Sequence, residues 1–301
     1  MNTSNRPDLS VVVPSVNGWS DLQDALKALY AQRGNATLEI IVVERVGDAV
    51  RTPLKQRFPQ AIVIEVRKEV TIPQMRALAF KTAHAEVVGV IEDHVIVPPD
   101  WAQRMLAAHA AGAQVVGGAV DNAATGKLVD WAAFLCEYSH CIVPPANGPA
   151  PWLTGNNVTY RKALLDRFSD LLREGRWEDA LHNAFKDAGI ELISRDDICV
   201  GHKKHYSVAE YTTQRYLYSR AYAALRVRNA PSHKRLLYAC ASMALPPMIY
   251  WRVVSRVLQS GRHRTELLRS LPLLALFSVS WALGEAVGYW RGDGGALARV
   301  C

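Results

Sequence analysis

The sequence predicts an α/β fold, a mainly parallel sheet flanked by helices, followed by a C-terminal α-helical region. Three observations carry this prediction. Short runs rich in valine and isoleucine alternate with segments of helical periodicity, and continuous rather than alternating apolarity suits strands buried on both faces. Half of the 301 residues are apolar, enough for a substantial core and too many for a disordered chain. The net charge of +7 is unevenly spread: residues 1–199 hold 20 Lys and Arg against 24 Asp and Glu, and residues 200–301 hold 15 against 4. That asymmetry marks a boundary, with residues 1–205 expected as an α/β domain and 206–301 as a basic, apolar helical region.

The elements follow in order. SVVVP at 10–14 reads as a buried strand, and Ser20 with Gln23 forms a capping-box pattern before a helix whose Leu22, Leu26, Leu29 and Tyr30 share one face. LEIIVVE (38–44) and AIVIEV (61–66) are the next strands, and IPQMRALAFKTAH (72–84) is a helix with Pro73 in its first turn. EVVGVIED (86–93) is the fourth strand, a helix covers 100–111, and QVVGGAV (114–120) is another strand. A helical stretch spans Leu128 to Tyr138, and the proline-rich PPANGPAP (144–151) is a loop. WLTGNNVTYRKALLDRF reads as strand, glycine turn and helix, and WEDALHNAFKDAGIELI as a helix leading to a last strand.

The five cysteines, Cys136, Cys141, Cys199, Cys240 and Cys301, are irregularly spaced and suggest neither a zinc site nor a disulfide framework. The N-terminus is polar and leads straight into a strand, without the pattern of a secretion signal. Both features fit a cytoplasmic catalytic part.

In open α/β sheets, ligands bind beyond the carboxyl ends of the strands. The residues there are Pro14, Ser15 and Asn17, then Glu44, and then Glu92-Asp93-His94. In extended backbone, residues i and i+2 project to one side, so Glu92 and His94 are expected to face one ligand while Asp93 turns away. One carboxylate and one imidazole suit Mn2+ or Mg2+ completed by substrate phosphates. The bland alternative is a solvated strand end.

The order VVVPSVNG, EIIVVE, IPQMRALAFKTAHAE, VVGVIEDHVIVPPDW, VVGGAV, WLTGNNVTYRKALLDR and WEDALHNAFKDAG resembles the family 2 glycosyltransferases, with their GT-A nucleotide-sugar fold, over roughly residues 9 to 205. In that family an Asp-x-Asp motif follows the fourth strand. Here Glu92-Asp93-His94 stands at the matching distance from Trp101, and acid-x-His variants are known among GT-A enzymes. The resemblance implies that Pro14, Ser15 and Asn17 line the base and ribose pocket, and that Glu44 takes the place of an aspartate on the nucleoside. It also puts Arg76 near the diphosphate and Glu92 and Asp93 at the donor. Arg45 departs from the usual second acid.

An inverting transfer needs a carboxylate base for the acceptor hydroxyl. The family carries it on an acidic pair opening a helix, here Glu178-Asp179. Matching by letters selects Asp179 and matching by distance to Gly189 selects Glu178, which we prefer; an ordinary helix N-terminus also favours acids. Gly155, Asn156 and Asn157 resemble the segment beside sugar and acceptor. His202 stands where many relatives have a further metal or phosphate ligand, or else it belongs to a basic patch with Lys203, Lys204 and His205.

In the last third, Ser207 and Glu210 form a capping-box pattern opening a helix with a Tyr211, Tyr218, Tyr222 stripe near Arg215, expected to be interfacial. The uncharged run Leu236 to Trp251 is too short to span a bilayer and is broken by Pro246 and Pro247, while Ser270 to Trp290 is long enough but contains Glu285. Two spans would put Arg252, Arg256, Arg262, Arg264 and Arg269 on the outer side, against the positive-inside tendency. Monotopic attachment to the cytoplasmic face of the membrane is therefore the expectation; buried helices or a dimer contact compete with it.

Taken together, the resemblance implies a hexosyltransferase-like enzyme that uses a nucleotide-sugar donor and a lipid-linked or membrane-proximal glycan acceptor. A catalytically weakened membrane scaffold is the alternative. Nucleic-acid binding by the basic tail is disfavoured by its long apolar runs, and the sequence is silent on oligomeric state.

Overall fold

The computed structural model describes residues 6–142 and 147–300. The first five residues of the polar N-terminus, residues 144–146 of the proline-rich loop and Cys301 lie outside the described residues. Numbered along the chain, the elements are β1 (Leu9–Ser15), α1 (Trp19–Tyr30), β2 (Leu38–Glu44), α2 (Asp48–Arg57), β3 (Ile62–Glu65), α3 (Ile72–Thr82), β4 (Val87–Ile91), β5 (Val95–Ile96) and α4 (Trp101–Ala110). There follow β6 (Val115–Asn122), α5 (Leu128–Tyr138), β7 (Gly148–Pro149), β8 (Asn157–Arg161), α6 (Lys162–Arg167), α7 (Ser169–Arg173), α8 (Glu178–Asp187) and β9 (Leu192–His202). The last helices are α9 (Val208–Arg226), α10 (Ser232–Ala241), α11 (Leu245–Ser260) and α12 (Arg264–Arg291). The chain divides into two compact units, Met1–Ala123 with Val143–Lys203, and Ala124–Ile142 with Lys204–Cys301.

The first unit is built on one sheet in the order β3-β2-β1-β4-β8-β6-β9-β5, with β7 paired to β9. Strands β3, β2, β1 and β4 are parallel, as are β6 and β9, but β8 runs against both of its neighbours. The sheet is thus mixed. Strand β8 reads Asn-Val-Thr-Tyr-Arg, polar alternating with apolar, although four of its five residues are buried, so it departs from the unbroken apolar runs of the parallel strands. On one face, Met75, Ala79 and Phe80 of α3 and Leu181 and Phe185 of α8 cover Val12, Ile41, Val43, Val88 and Val90 of the strands. Each of the larger of these side chains contributes ~1.5–3 kcal/mol by leaving water.

Local signals worked unevenly. Helix α1 starts at Trp19 behind Gly18, so Ser20 already lies in its first turn and the expected capping box with Gln23 does not form. Helix α2 escaped the pattern reading because it is short, strongly charged and contains Pro53. Its N-terminus is served by Glu44, whose carboxylate accepts from the N–H groups of Val46 and Gly47.

The second unit is helical. Helix α9 opens with the expected capping box, in which Glu210 accepts from the Ser207 N–H at 2.6 Å and Ser207 Oγ accepts from the Glu210 N–H at 3.2 Å. Helix α9 packs closely on α12 because Gly284 and Gly288 leave no side chain between them. A Cβ at Gly284 would collide with Ser219 Oγ and the Tyr216 carbonyl, and one at Gly288 with the Arg220 carbonyl. This is the close approach that glycines four residues apart allow. Tyr211, expected on an interfacial stripe, is instead a core residue. Its hydroxyl donates to the Ala133 carbonyl at 3.0 Å and its ring meets Phe277 edge-on at 4.5 Å.

The run Leu236 to Trp251 is divided among α10, a 3₁₀ turn at Ser242–Ala244 and α11, which carries Pro246 and Pro247 at its start. The run Ser270 to Trp290 lies within α12, which is long and apolar enough to cross a membrane, with a mean hydropathy of 1.5 in its most apolar window, 44% of which is buried inside the protein. Glu285 is paired inside the helical unit. It accepts from Arg226 at 2.9 and 3.2 Å, from Trp281 Nε1 at 3.0 Å and from the Tyr289 hydroxyl at 3.0 Å.

Candidate functional site

Glu92-Asp93-His94 does not continue β4. The strand ends at Ile91, and the chain closes a turn in which the Val95 N–H donates to the Glu92 carbonyl at 3.0 Å. Extended geometry was therefore the wrong premise, yet the turn still brings Glu92 Oε2 within 3.4 Å of His94 Nε2. Asp93 does turn away, into the protein. One of its oxygens accepts from the N–H groups of Val16 and Asn17, each at 2.8 Å. The other accepts from Asn17 Nδ2 at 2.6 Å and lies 3.0 Å from His94 Nδ1. Asp93 therefore binds the loop after β1 to the turn after β4. His94 Nδ1 also lies 3.2 Å from Asn17 Nδ2; with Nδ1 protonated and donating to Asp93, Nε2 is the outward lone pair, a device common behind metal-binding imidazoles.

That lone pair meets a second imidazole. His202, the last residue of β9, is in register with Asn122 of β6 and Val95 of β5, and its Nε2 lies 2.9 Å from His94 Nε2. Two ring nitrogens approach so closely only when a proton or a cation lies between them. Ligand atoms of Glu92, His94 and His202 all lie within 4.8 Å of one another. Opposite ligands of one small divalent ion stand ~4.2 Å apart, so the cluster has the size to hold one. Its hard and borderline donors, one carboxylate oxygen and two imidazole nitrogens, fit Mn2+ or Mg2+ sharing its remaining positions with phosphate oxygens.

Charge around the cluster points the same way. Arg76, on α3 and nearly buried, donates to Glu178 Oε2 at 2.7 Å, and its other terminal nitrogen lies 3.8 Å from Glu92 Oε1. Its guanidinium also lies over the Trp177 ring, 5.9 Å from the centroid. One arginine thus serves two carboxylates, with a third on Asp93 close behind. An anionic diphosphate would enter such a cleft only with a cation to offset that charge.

The loop before β8 supplies the opposite wall. Gly155 lies against Glu178 so closely that a Cβ there would overlap the carboxyl group. Asn156 Nδ2 donates to Glu92 Oε2 at 3.2 Å, while its Oδ1 accepts from the Thr154 hydroxyl at 2.5 Å. Of the acidic pair opening α8, it is Glu178 whose carboxyl faces Gly155 and Arg76. One turn along α8, His182 is buried, and its Nε2 lies 2.9 Å from the Tyr160 hydroxyl. Burial pushes the His182 pKa down to about 4, against the opposing pull of the Glu178 charge, and raises Tyr160 above the usual phenol range.

Several expected site residues stand apart. Asn157 is fully buried, with Oδ1 accepting from Trp101 Nε1 and Nδ2 donating to the Ala119 carbonyl, both at 2.9 Å. It holds the sheet together. Glu44 is likewise fully buried, committed to Val46, Gly47 and the Arg51 guanidinium. Arg45 donates to the Val70 carbonyl at 2.8 Å. Pro14 and Ser15 are buried at the end of β1, and Ser15 Oγ finds no partner among the described residues. The basic patch at 202–205 does not exist as a unit, because Lys203 pairs with Asp24 at 2.7 Å and His205 with Asp130 at 2.8 Å. Sequence reasoning missed Asp93 as the tie between two loops and the Tyr160–His182 pair behind Glu178; neither has a local signature.

A family profile described as Glycosyl transferase family 2 matches residues 10–162, just over half of the chain. Among solved structures, S. aureus TarS 1-349 is similar with a TM-score of 0.50 at 15% identity, covering 94% of this chain and 90% of that one. The mannosyltransferase PcManGT from Pyrobaculum calidifontis, in complex with GDP-Man and Mn2+, is similar with a TM-score of 0.54 at 17% identity, covering 96% and 88%. At these identities the likeness is one of fold. No curated protein matches the sequence significantly.

Proposed function

Because the chain belongs to glycosyl transferase family 2, we propose that it transfers a hexosyl group from a nucleotide sugar to a lipid-linked or membrane-proximal glycan acceptor, by an inverting mechanism assisted by Mn2+ or Mg2+. The observation that carries this reading is the convergence of Glu92, His94 and His202 beside Arg76 and Glu178. In it, Glu178 removes the acceptor hydroxyl proton as that oxygen attacks the sugar carbon opposite the leaving diphosphate. Arg76, freed from Glu178 by the donor, turns its fork to the diphosphate oxygens. A divalent ion held by Glu92, His94 and His202 would stabilise the charge on the departing diphosphate. Asp93 and Asn156 orient His94 and Glu92, and the end of β1 with Asn17 borders the nucleoside. The backbone at Gly155 and Asn156 lies where the acceptor enters.

The second unit rests on the cytoplasmic leaflet in this reading. The described cysteines are all free thiols, in keeping with a reducing compartment. The test is nucleotide release from UDP- and GDP-sugars with and without Mn2+. Turnover should require the ion and fall ~100-fold or more in the His94→Ala variant, and Mn2+-dependent thermal stabilisation by the nucleotide diphosphate should vanish with it. A membrane scaffold without chemistry would release no nucleotide under any of these conditions.

A further inference from the structure

The second unit carries a surface that the transfer chemistry leaves unused. Helix α11 buries Ile249, Val253 and Val257, one every turn. The opposite face of such a helix would ordinarily be polar. Here it presents Met248, 63% exposed, Trp251, 69% exposed, and Leu258. The chain just before it continues the pattern with Leu236, Leu237, Tyr238 and Met243, all exposed. So many large apolar side chains exposed along one stretch of chain call for a partner.

The charges beside it select the partner. At 100° per residue, Arg252 falls on the flank of the exposed apolar face of α11, and Arg256 on the same side, at the border of the buried stripe. Both guanidiniums bear on His140 at the end of α5: that imidazole is held down at about 4, first by desolvation of its ring, although the residue as a whole is exposed, and then by the charges of Arg256 and Arg252. Arg256 is itself lowered, by burial and then by Arg252. Arg264 and Arg269 are exposed on the first turns of α12. Among the described residues no carboxylate lies within ion-pair distance of Arg252, Arg256, Arg264 or Arg269. A second copy of the chain would bring the same uncompensated arginines to the interface, whereas phosphate-bearing headgroups neutralise them while acyl chains cover the methionines and the tryptophan.

We infer that the second unit docks on an anionic lipid leaflet, inserting Leu237, Met243, Met248 and Trp251 and binding headgroup phosphates with Arg252 and Arg256. This deepens the proposed function by naming the surface and the lipid chemistry. The test is flotation of the full-length protein with vesicles of neutral phosphatidylcholine alone and with about a third phosphatidylglycerol. We expect binding to the anionic vesicles, weakened about 10–30-fold in the Arg252→Gln/Arg256→Gln variant. A Met248→Ser/Trp251→Ser variant, altered only at exposed positions, should lose binding to the anionic vesicles while keeping its circular dichroism. Equal binding of the native chain and the double-arginine variant would overturn the headgroup assignment. A detergent-free dimer that ignores vesicles would overturn the docking itself. The His94→Ala variant should float like the native protein, so loss of transfer and loss of docking are separate results.

Discussion

The two units solve opposite problems. In the sheet unit the exceptions to ordinary burial lie inside: Asp93, His94, Asn156 and His202 are buried polar groups gathered at strand ends. The helical unit has buried polar groups as well, Arg215, Ser219 and Glu285 among them, but it differs in its large exposed apolar side chains, the methionines, leucines and tryptophans that face away from the core. An exposed leucine means little by itself, but a cluster of buried polar groups or a patch of large exposed apolar ones does. The contrast matches the two proposed tasks, chemistry among the gathered polar groups of one unit and docking through the exposed apolar side chains of the other.

Acid is the strongest way to load the polar interior. His109 and His182 are each 1% exposed, and burial holds both near pKa 4. An unfolded histidine takes up its proton near pH 6.5, so between pH 6.5 and 4 the unfolded chain binds more protons than the folded one and stability falls as pH falls. By pH 5 each contributes a loss of about 2 kcal/mol. Urea midpoints followed from pH 7 to 5 should drop accordingly, and replacing either histidine with a non-titrating residue should flatten the slope even if it lowers the plateau. An unchanged slope would mean that these rings are not buried neutral.

Glycine substitutions sharpen the contrast, because adding a side chain at a tight glycine should have different consequences in the two units. Gly288→Leu drives a side chain into the Arg220 carbonyl of the neighbouring helix. Overpacking against backbone should cost ~3 kcal/mol or more, visible as a lowered thermal midpoint. In Gly155→Ala the obstacle is the Glu178 carboxyl, the far end of a side chain that can swing away. Stability should change little, while displacement of the base lowers kcat about 100-fold. A stable Gly288→Leu protein, or a fully active Gly155→Ala one, would remove the distinction.

How far all this could be read from the letters follows from what is local. Runs such as Val11–Val13 and Ile40–Val43 announce strands, because burial on both faces leaves no room for polar residues. The site residues near Glu92 were legible through family order, yet the turn that joins Glu92 to His94 was not, since nothing within 86–93 indicates that the strand stops at Ile91. Glu44 and Asn157 show the same limit. Whether a polar residue at a strand end faces a ligand or its own backbone depends on the next loop, and here Gly47 and Trp101 reach both residues first. The positions of Gly284 and Gly288 were in plain view as a small-residue spacing, but its meaning required the facing carbonyls of α9.

The smallest expected effect concerns Glu285, the one acid in an otherwise uncharged stretch of α12. Its side chain is 7% exposed, while that of its partner Arg226 is 51% exposed. Breaking a fully buried pair from one side costs ~3–5 kcal/mol, but solvent already shields the arginine here, so Glu285→Gln should cost only about 1–2 kcal/mol. The amide oxygen can still accept from Trp281 while the Tyr289 hydroxyl turns to accept from the amide nitrogen, which keeps the loss small. Arg226→Met combined with Glu285→Leu removes the charges altogether and should be nearly neutral in a core but leave the Trp281 and Tyr289 donors unsatisfied. A double-mutant cycle on thermal midpoints therefore measures whether this carboxylate is held for its charge or for its hydrogen bonds. A coupling energy near zero between Arg226 and Glu285 would assign it to the hydrogen bonds, and would make α12 a helix whose interior tolerates an acid without needing a paired charge.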